Sequence, residues 1–299
     1  MDLAFRCYHA TATPLMPVDI VTAWRICLRL YRFANLLNLD VALGALGSMT
    51  LGASVCRASV PRAWGVLLPL AVWATYTLDH LLDGQHASQP SAAPRHQIAA
   101  RYARPLAVSV GLVIAILCSG GLLLLPSRLL WLAGVVGVAT LVHLGAAYAE
   151  WYPSSSPFGK ELVVAFLYGA GTWGGPLLFM STPFSLALVS ATLTFFLLVL
   201  LNLGLFQWFE QYQAHQSCPE MSEGRRASRF LDLGFLGVVV ALVGGCIATR
   251  ATVTLEFFVL VGMGGILWSM RLAPRYFLSY ERFRLFGDSV FLVPLLLLL

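Results

Sequence analysis

Nine long apolar stretches, separated by short segments that hold most of the charge, govern what this chain can become. They run over 34–56, 63–83, 105–125, 129–149, 161–180, 184–210, 230–249, 254–272 and 283–299. A helix needs roughly 20 apolar residues to cross the hydrocarbon core of a bilayer, and each stretch is close to that length. In lipid, every backbone N–H and C=O must find its partner inside a helix or a closed barrel. Barrel strands alternate apolar and polar residues, whereas these stretches stay apolar. The expected fold class is therefore all-α, a polytopic membrane protein of about nine transmembrane helices. Composition agrees, because 59% of the 299 residues are hydrophobic and only 11% are charged, against about a quarter charged in a soluble domain. Soluble dehydrogenases, nucleic-acid readers and secreted disulfide scaffolds are excluded on the same ground.

The basic residues sit where a multi-pass protein keeps them. With the N-terminus in the cytoplasm, fifteen of the nineteen Lys and Arg residues fall in cytoplasmic segments, and only Arg57, Arg62, Arg128 and Arg250 lie opposite, as the positive-inside rule requires. The net charge of +5 then points to membrane lipid and not to nucleic acid. Ahead of the first stretch, Arg25, Arg29 and Arg32 fall at helical spacing opposite Ile20, Trp24 and Leu28, which predicts an interfacial amphipathic helix. Residues 1–33 thus read as a cytoplasmic, interfacial segment and 34–299 as the transmembrane domain. Four arginines in the first segment argue against a signal peptide. The six cysteines form no CxxC pair and no group with the histidines, which argues against a zinc site, a disulfide frame or an iron–sulfur cluster. Pro126-Ser127-Arg128 and Ser181-Thr182-Pro183 are junctions short enough to force antiparallel hairpins. The longest polar loops are 84–104 and 211–229, both on the cytoplasmic side. No protein partner is implied by any motif.

An ionisable group inside a span is costly, so each is a functional candidate. Asp40, Asp79, Asp83, Glu210, Asp232, Glu256 and Asp288 are the acids in or near the stretches. Asp79 and Asp83 differ from the others because they form a pair. Their i, i+4 spacing puts both carboxylates on one helical face about 6 Å apart along the axis, where like charges repel unless a cation joins them. Mg²⁺ suits this, since it takes one or two carboxylates and completes its shell with substrate phosphates. A solvated acidic helix end is the alternative. Asn202 and Glu210, two turns apart at the end of the sixth stretch, offer a second arm, with Glu210 as a third metal ligand. A diphosphate needs more counter-charge than one metal gives. Lys160, the sole lysine, and Arg95 in the loop after the acid pair are the candidates, against a local pairing of Lys160 with Glu161. Asp40 and Asp288 either face a cavity or pair with Asn38 or nearby arginines.

Together these residues resemble the UbiA superfamily of intramembrane prenyltransferases. Asp79xxxAsp83 is similar to its first aspartate-rich motif. Tyr152-Pro153, Gly159-Lys160-Glu161 and Gly169xGly171xxGly174 resemble its pattern at the fifth span, and Arg32-Phe33-Ala34-Asn35 its N-terminal motif. Thr75 and His80 stand where the family has Asn and Arg, and the second motif is reduced to Asn202 and Glu210. The resemblance implies nine helices around a central cavity capped by cytoplasmic loops. It further implies Mg²⁺-assisted ionisation of an isoprenoid diphosphate and transfer of the prenyl group to an aromatic or lipophilic acceptor. Asp79, Asp83 and Glu210 would be the catalytic, metal-binding residues. Asn35, Thr75, Tyr76, Arg95, Lys160, Asn202 and Phe206 would contact substrate, with the rings of Tyr76, Tyr168, Trp173 and Phe206 against the carbocation. A membrane terpene cyclase of the same superfamily, or a non-enzymatic transporter or scaffold, are the alternatives.

Overall fold

The computed structural model describes residues 18–86, 94–149, 151–152, 159–215, 223–248, 254–278 and 282–298. Among these residues the chain is helical throughout, with no strand. Helix α1 (Val18–Leu36) contains the predicted amphipathic segment. It ends at Leu37-Asn38, where Asn38 takes a left-handed conformation, φ 59°. Asn is one of the few side chains that tolerate that region, so the chain turns here before α2 (Leu39–Cys56). Then follow α3 (Arg62–His86), α4 (Pro94–Arg101), α5 (Ala103–Leu124), α6 (Ser127–Tyr148) and α7 (Gly159–Leu178). The chain continues through α8 (Leu186–His215), α9 (Glu223–Ala248), α10 (Leu255–Leu272), the short α11 (Pro274–Leu278) and α12 (Arg282–Ser289). Directly after α12 comes a 3-10 segment, Val290–Leu298.

Seven of these helices, α2, α3, α5, α6, α8, α9 and α10, are long and apolar enough to cross a membrane. The protein is thus a polytopic, all-helical integral membrane protein. The other two predicted stretches take different forms. Helix α7 has 20 residues but carries Gly169, Gly171, Thr172, Gly174, Gly175 and Pro176. The last stretch is split between α12 and the 3-10 segment, whose Pro294 lacks an N–H for an α-helical bond. The two tight junctions lie where Pro and Ser place them, between α5 and α6 and between α7 and α8. The loop predicted at 84–104 contains α4.

Exposure separates the helices into two kinds. In α2, 61% of the spanning residues are buried, against 11% in α5 and 17% in α6. Outward-facing Leu122, Leu123, Trp131 and Val138 are between 63% and 81% exposed, an apolar surface suited to acyl chains and not to water. Without a hydrophobic drive between helices in lipid, close association depends on small residues that let backbones meet. Gly47 of α2 is such a position, since a Cβ there would lie 2.5 Å from the Phe291 carbonyl oxygen. The C-terminal segment therefore packs directly onto α2. The main core lies between α8, α9 and α10 around Leu198, Leu205, Leu231, Met263 and Leu267. Near the centre, Phe195 stacks on Trp173 at 5.0 Å and meets Phe291 edge-on at 6.2 Å.

Two ends of this bundle are tied differently. At one, Ser181 and Thr182 of the α7–α8 junction bond to the carbonyls of Arg57 and Cys56. Toward the other, the Trp73 indole donates to the Leu37 carbonyl at 2.9 Å, fixing α3 against the α1–α2 turn.

Candidate functional site

Helices α2, α3, α7, α8 and the C-terminal segment converge on a cavity of about 20 Å³, space for a water or a hydroxyl group. Its polar walls are Tyr76, Tyr168, Asn202 and Asp288. Val41, Val164, Val199, Leu203 and Phe291 supply the apolar remainder. The Tyr168 hydroxyl is held at 3.1 Å from Ser48 Oγ on α2. Asn202 is only 5% exposed, yet its Oδ1 meets no hydrogen-bond donor among the described residues. Gly287 lets α12 come this close. A Cβ there would stand 2.3 Å from Phe206 Cε1 and 2.5 Å from Asn202 Oδ1, well inside contact distance.

Beside the cavity, two carboxylates from opposite ends of the chain meet on one amide. Asn35 Nδ2 donates to Asp40 Oδ2 at 2.5 Å and to Asp288 Oδ2 at 3.1 Å. The other oxygen of Asp40 accepts the Val41 N–H at 2.9 Å, and Asp40 is 1% exposed. Tyr31 closes the cluster by donating to the Leu285 carbonyl at 2.8 Å. Burial first, and then the charges of Asp40 and Asp288, hold the Tyr31 phenol above its usual range, so it remains a neutral donor.

The residues singled out from sequence fall into three groups. Tyr76 and Asn202 reach the cavity, and Asn35 holds its Asp288 wall. Thr75 and Asp79 are half-buried on α3, and Asp83 is exposed a turn further on. Elsewhere, Lys160 is exposed in the first turn of α7. The Arg95 side chain lies outside the described residues. Glu210 takes a different partner from the one expected, for Arg284 Nη2 of α12 bonds to its Oε1 at 2.5 Å. The same guanidinium lies 5.9 Å from the Phe206 ring, which itself packs on Phe283. Among the described residues no three His, Cys, Asp or Glu side chains converge in a way that could hold a metal. Asp79, Asp83 and Glu210 do not form one ligand set here. A divalent cation at the Asp79–Asp83 pair would need further oxygen ligands from outside the described residues to complete its shell.

Sequence reasoning overlooked Arg284 as the partner of Glu210. It left Asp40 and Asp288 between two roles, and the structure gives Asp40 to Asn35 and Asp288 to the cavity. The signal was available in part. Arg284 and Asp288 are i, i+4 on α12, so one turn presents a cation and an acid together. Compared with known proteins, the chain matches no family model, no curated protein and no solved structure.

Proposed function

We propose that the protein is an intramembrane prenyltransferase, taking an isoprenoid diphosphate and transferring its prenyl group to a lipophilic or aromatic acceptor. The observation that supports this most is that the acid pair and the cavity share one helix. Tyr76 lines the cavity, and Asp79 follows it by three residues, about 4.5 Å along the helix axis. In this reading the diphosphate lies at the Asp79–Asp83 end of α3, the end that the charge pattern assigns to the cytoplasm. Mg²⁺ held there by Asp79 and Asp83 would neutralise charge on the leaving diphosphate. Lys160 supplies counter-charge from α7, and Glu210 is kept in place by Arg284. Apolar walls from Val164, Val199 and Leu203 exclude water from an allylic cation, and the rings of Tyr76, Tyr168 and Phe206 offer it their faces. The cavity is smaller than a prenyl chain, so the donor enters as the surrounding helices part. Two further spans, α7 and the C-terminal segment, and a cytoplasmic N-terminus belong to the same reading.

Product analysis tests it. Purified protein with an allylic diphosphate, Mg²⁺ and a lipophilic phenol is expected to give a prenylated phenol by mass spectrometry. A cyclised hydrocarbon formed equally well without the phenol would replace transfer by terpene cyclisation.

A further inference from the structure

The two faces of α1 are unlike. On the inner face, the Tyr31 hydroxyl donates to the Leu285 carbonyl, and the Asn35 amide donates to Asp40 and Asp288. These bonds fasten α1 to α2 and α12. On the opposite face, Ile26, Leu30 and Phe33 stand at i, i+4 and i+7 and are 52%, 63% and 63% exposed. Arg29 and Arg32, both exposed, border this stripe along one edge at helical spacing. Neither takes part in an ion pair among the described residues, and the sequence holds no acid between Ile20 and Leu36. The outer face is thus apolar, with cations along one edge and no acidic group of its own. Such a face suits the surface of a bilayer, with apolar side chains at the acyl boundary and arginines among the headgroups. A second copy of α1 does not suit it, since pairing through the same face brings arginines to a surface with no acid to receive them.

We propose that this outer face of α1 is a docking surface for an anionic lipid leaflet. Ile26, Leu30 and Phe33 enter the acyl boundary, and Arg29 and Arg32 pair with the anionic headgroups. The strength of docking therefore follows the charge of the lipid and not its apolarity alone. The helix held in this way carries Tyr31 and Asn35, so docking also steadies α12, where Leu285 and Asp288 stand. Nothing in this depends on prenyl transfer, and the two readings stand or fall separately.

The test is hydrogen–deuterium exchange, read by mass spectrometry, on full-length protein in nanodiscs of phosphatidylcholine alone or of phosphatidylcholine mixed with phosphatidylglycerol. Exchange over residues 20–36 is expected to be at least about tenfold slower in the mixed discs, as two arginines at an anionic surface provide, and the difference should fade at high salt. Residues 282–289 should slow with it, while α8 exchanges alike in both discs. Arg29→Gln with Arg32→Gln leaves Tyr31 and Asn35 in place and should abolish the dependence on lipid. Leu30→Ser with Phe33→Ser should speed exchange of α1 in both discs. Equal exchange of wild-type α1 in the two discs would overturn the proposal, as would a lipid dependence that survives in the glutamine variant. Slowing by inorganic phosphate in phosphatidylcholine discs, equal to that by phosphatidylglycerol, would give the arginines to a free anion and overturn it too. Protection found only with two copies per disc would do the same by assigning the face to a second chain. Slowing of α1 with none at 282–289 would overturn the link to α12.

Discussion

Two pairs of acids in this protein are built in opposite ways. Asp79 and Asp83 stand one turn apart on a single helix, with Asp79 half-buried and Asp83 exposed. Asp40 and Asp288 come from α2 and α12, and share one nitrogen of Asn35. The first pair lies on one face of α3, and it is there that the proposed function puts the cation and the diphosphate. The second is held by hydrogen bonds from its own chain, with Asp40 buried and Asp288 half-buried where it lines the cavity. The difference teaches that an i, i+4 carboxylate pair depends on one helix alone for its spacing. A long-range pair sharing one amide ties parts of the fold that are far apart in sequence.

Removing each pair should therefore fail in a different way. The largest effect is expected on chemistry. Asp79→Ala with Asp83→Ala should lower allylic diphosphate turnover by about 100-fold or more, while circular dichroism and thermal unfolding in detergent stay close to wild type. Chelation of Mg²⁺ should reproduce that loss in the wild type and add nothing to the double variant. Next in size is a loss of stability without a matching loss of donor binding. Asp40→Leu strips the half-buried Asn35 amide of one of its two acceptors, at a cost of about 1 kcal/mol read as a lowered unfolding temperature. Gly287→Ala should be of comparable size, about 1–3 kcal/mol, because the new methyl group must displace Phe206 and Asn202. Smallest is Arg284→Gln. Its partner Glu210 has a half-exposed side chain, 50%, so solvent screening keeps the loss below about 1 kcal/mol. A larger change would mean that the Arg284–Glu210 contact shapes the site and does not merely close it.

Much of the helical framework was legible in the sequence because lipid imposes a simple rule on length and apolarity. The turns at Pro126 and at Ser181-Thr182-Pro183 could be read from local chemistry, and α5 and α6 follow from apolar runs alone. Less legible was α7, where glycines and Pro176 make a helix that is close-packed and not simply greasy. The final apolar run reads as one helix, yet it divides into the eight-residue α12 and a 3-10 segment that contains Pro294 and packs on Gly47. Within the site, the α3 pair was visible because both acids sit on one helix. The partnership of Asn35 with Asp288 spans 253 positions, and no periodicity reports a contact of that range. Arg284 was hidden for the same reason, counted among the cytoplasmic arginines while its guanidinium serves Glu210.

The most direct test of prenyl transfer is diphosphate release by purified, full-length protein, measured over a panel of allylic diphosphates with and without Mg²⁺, and repeated with Asp79→Ala. Mg²⁺-dependent release from at least one donor, lost in the variant, is the predicted result. No release from any donor by folded protein, or equal release by wild type and variant, would contradict it.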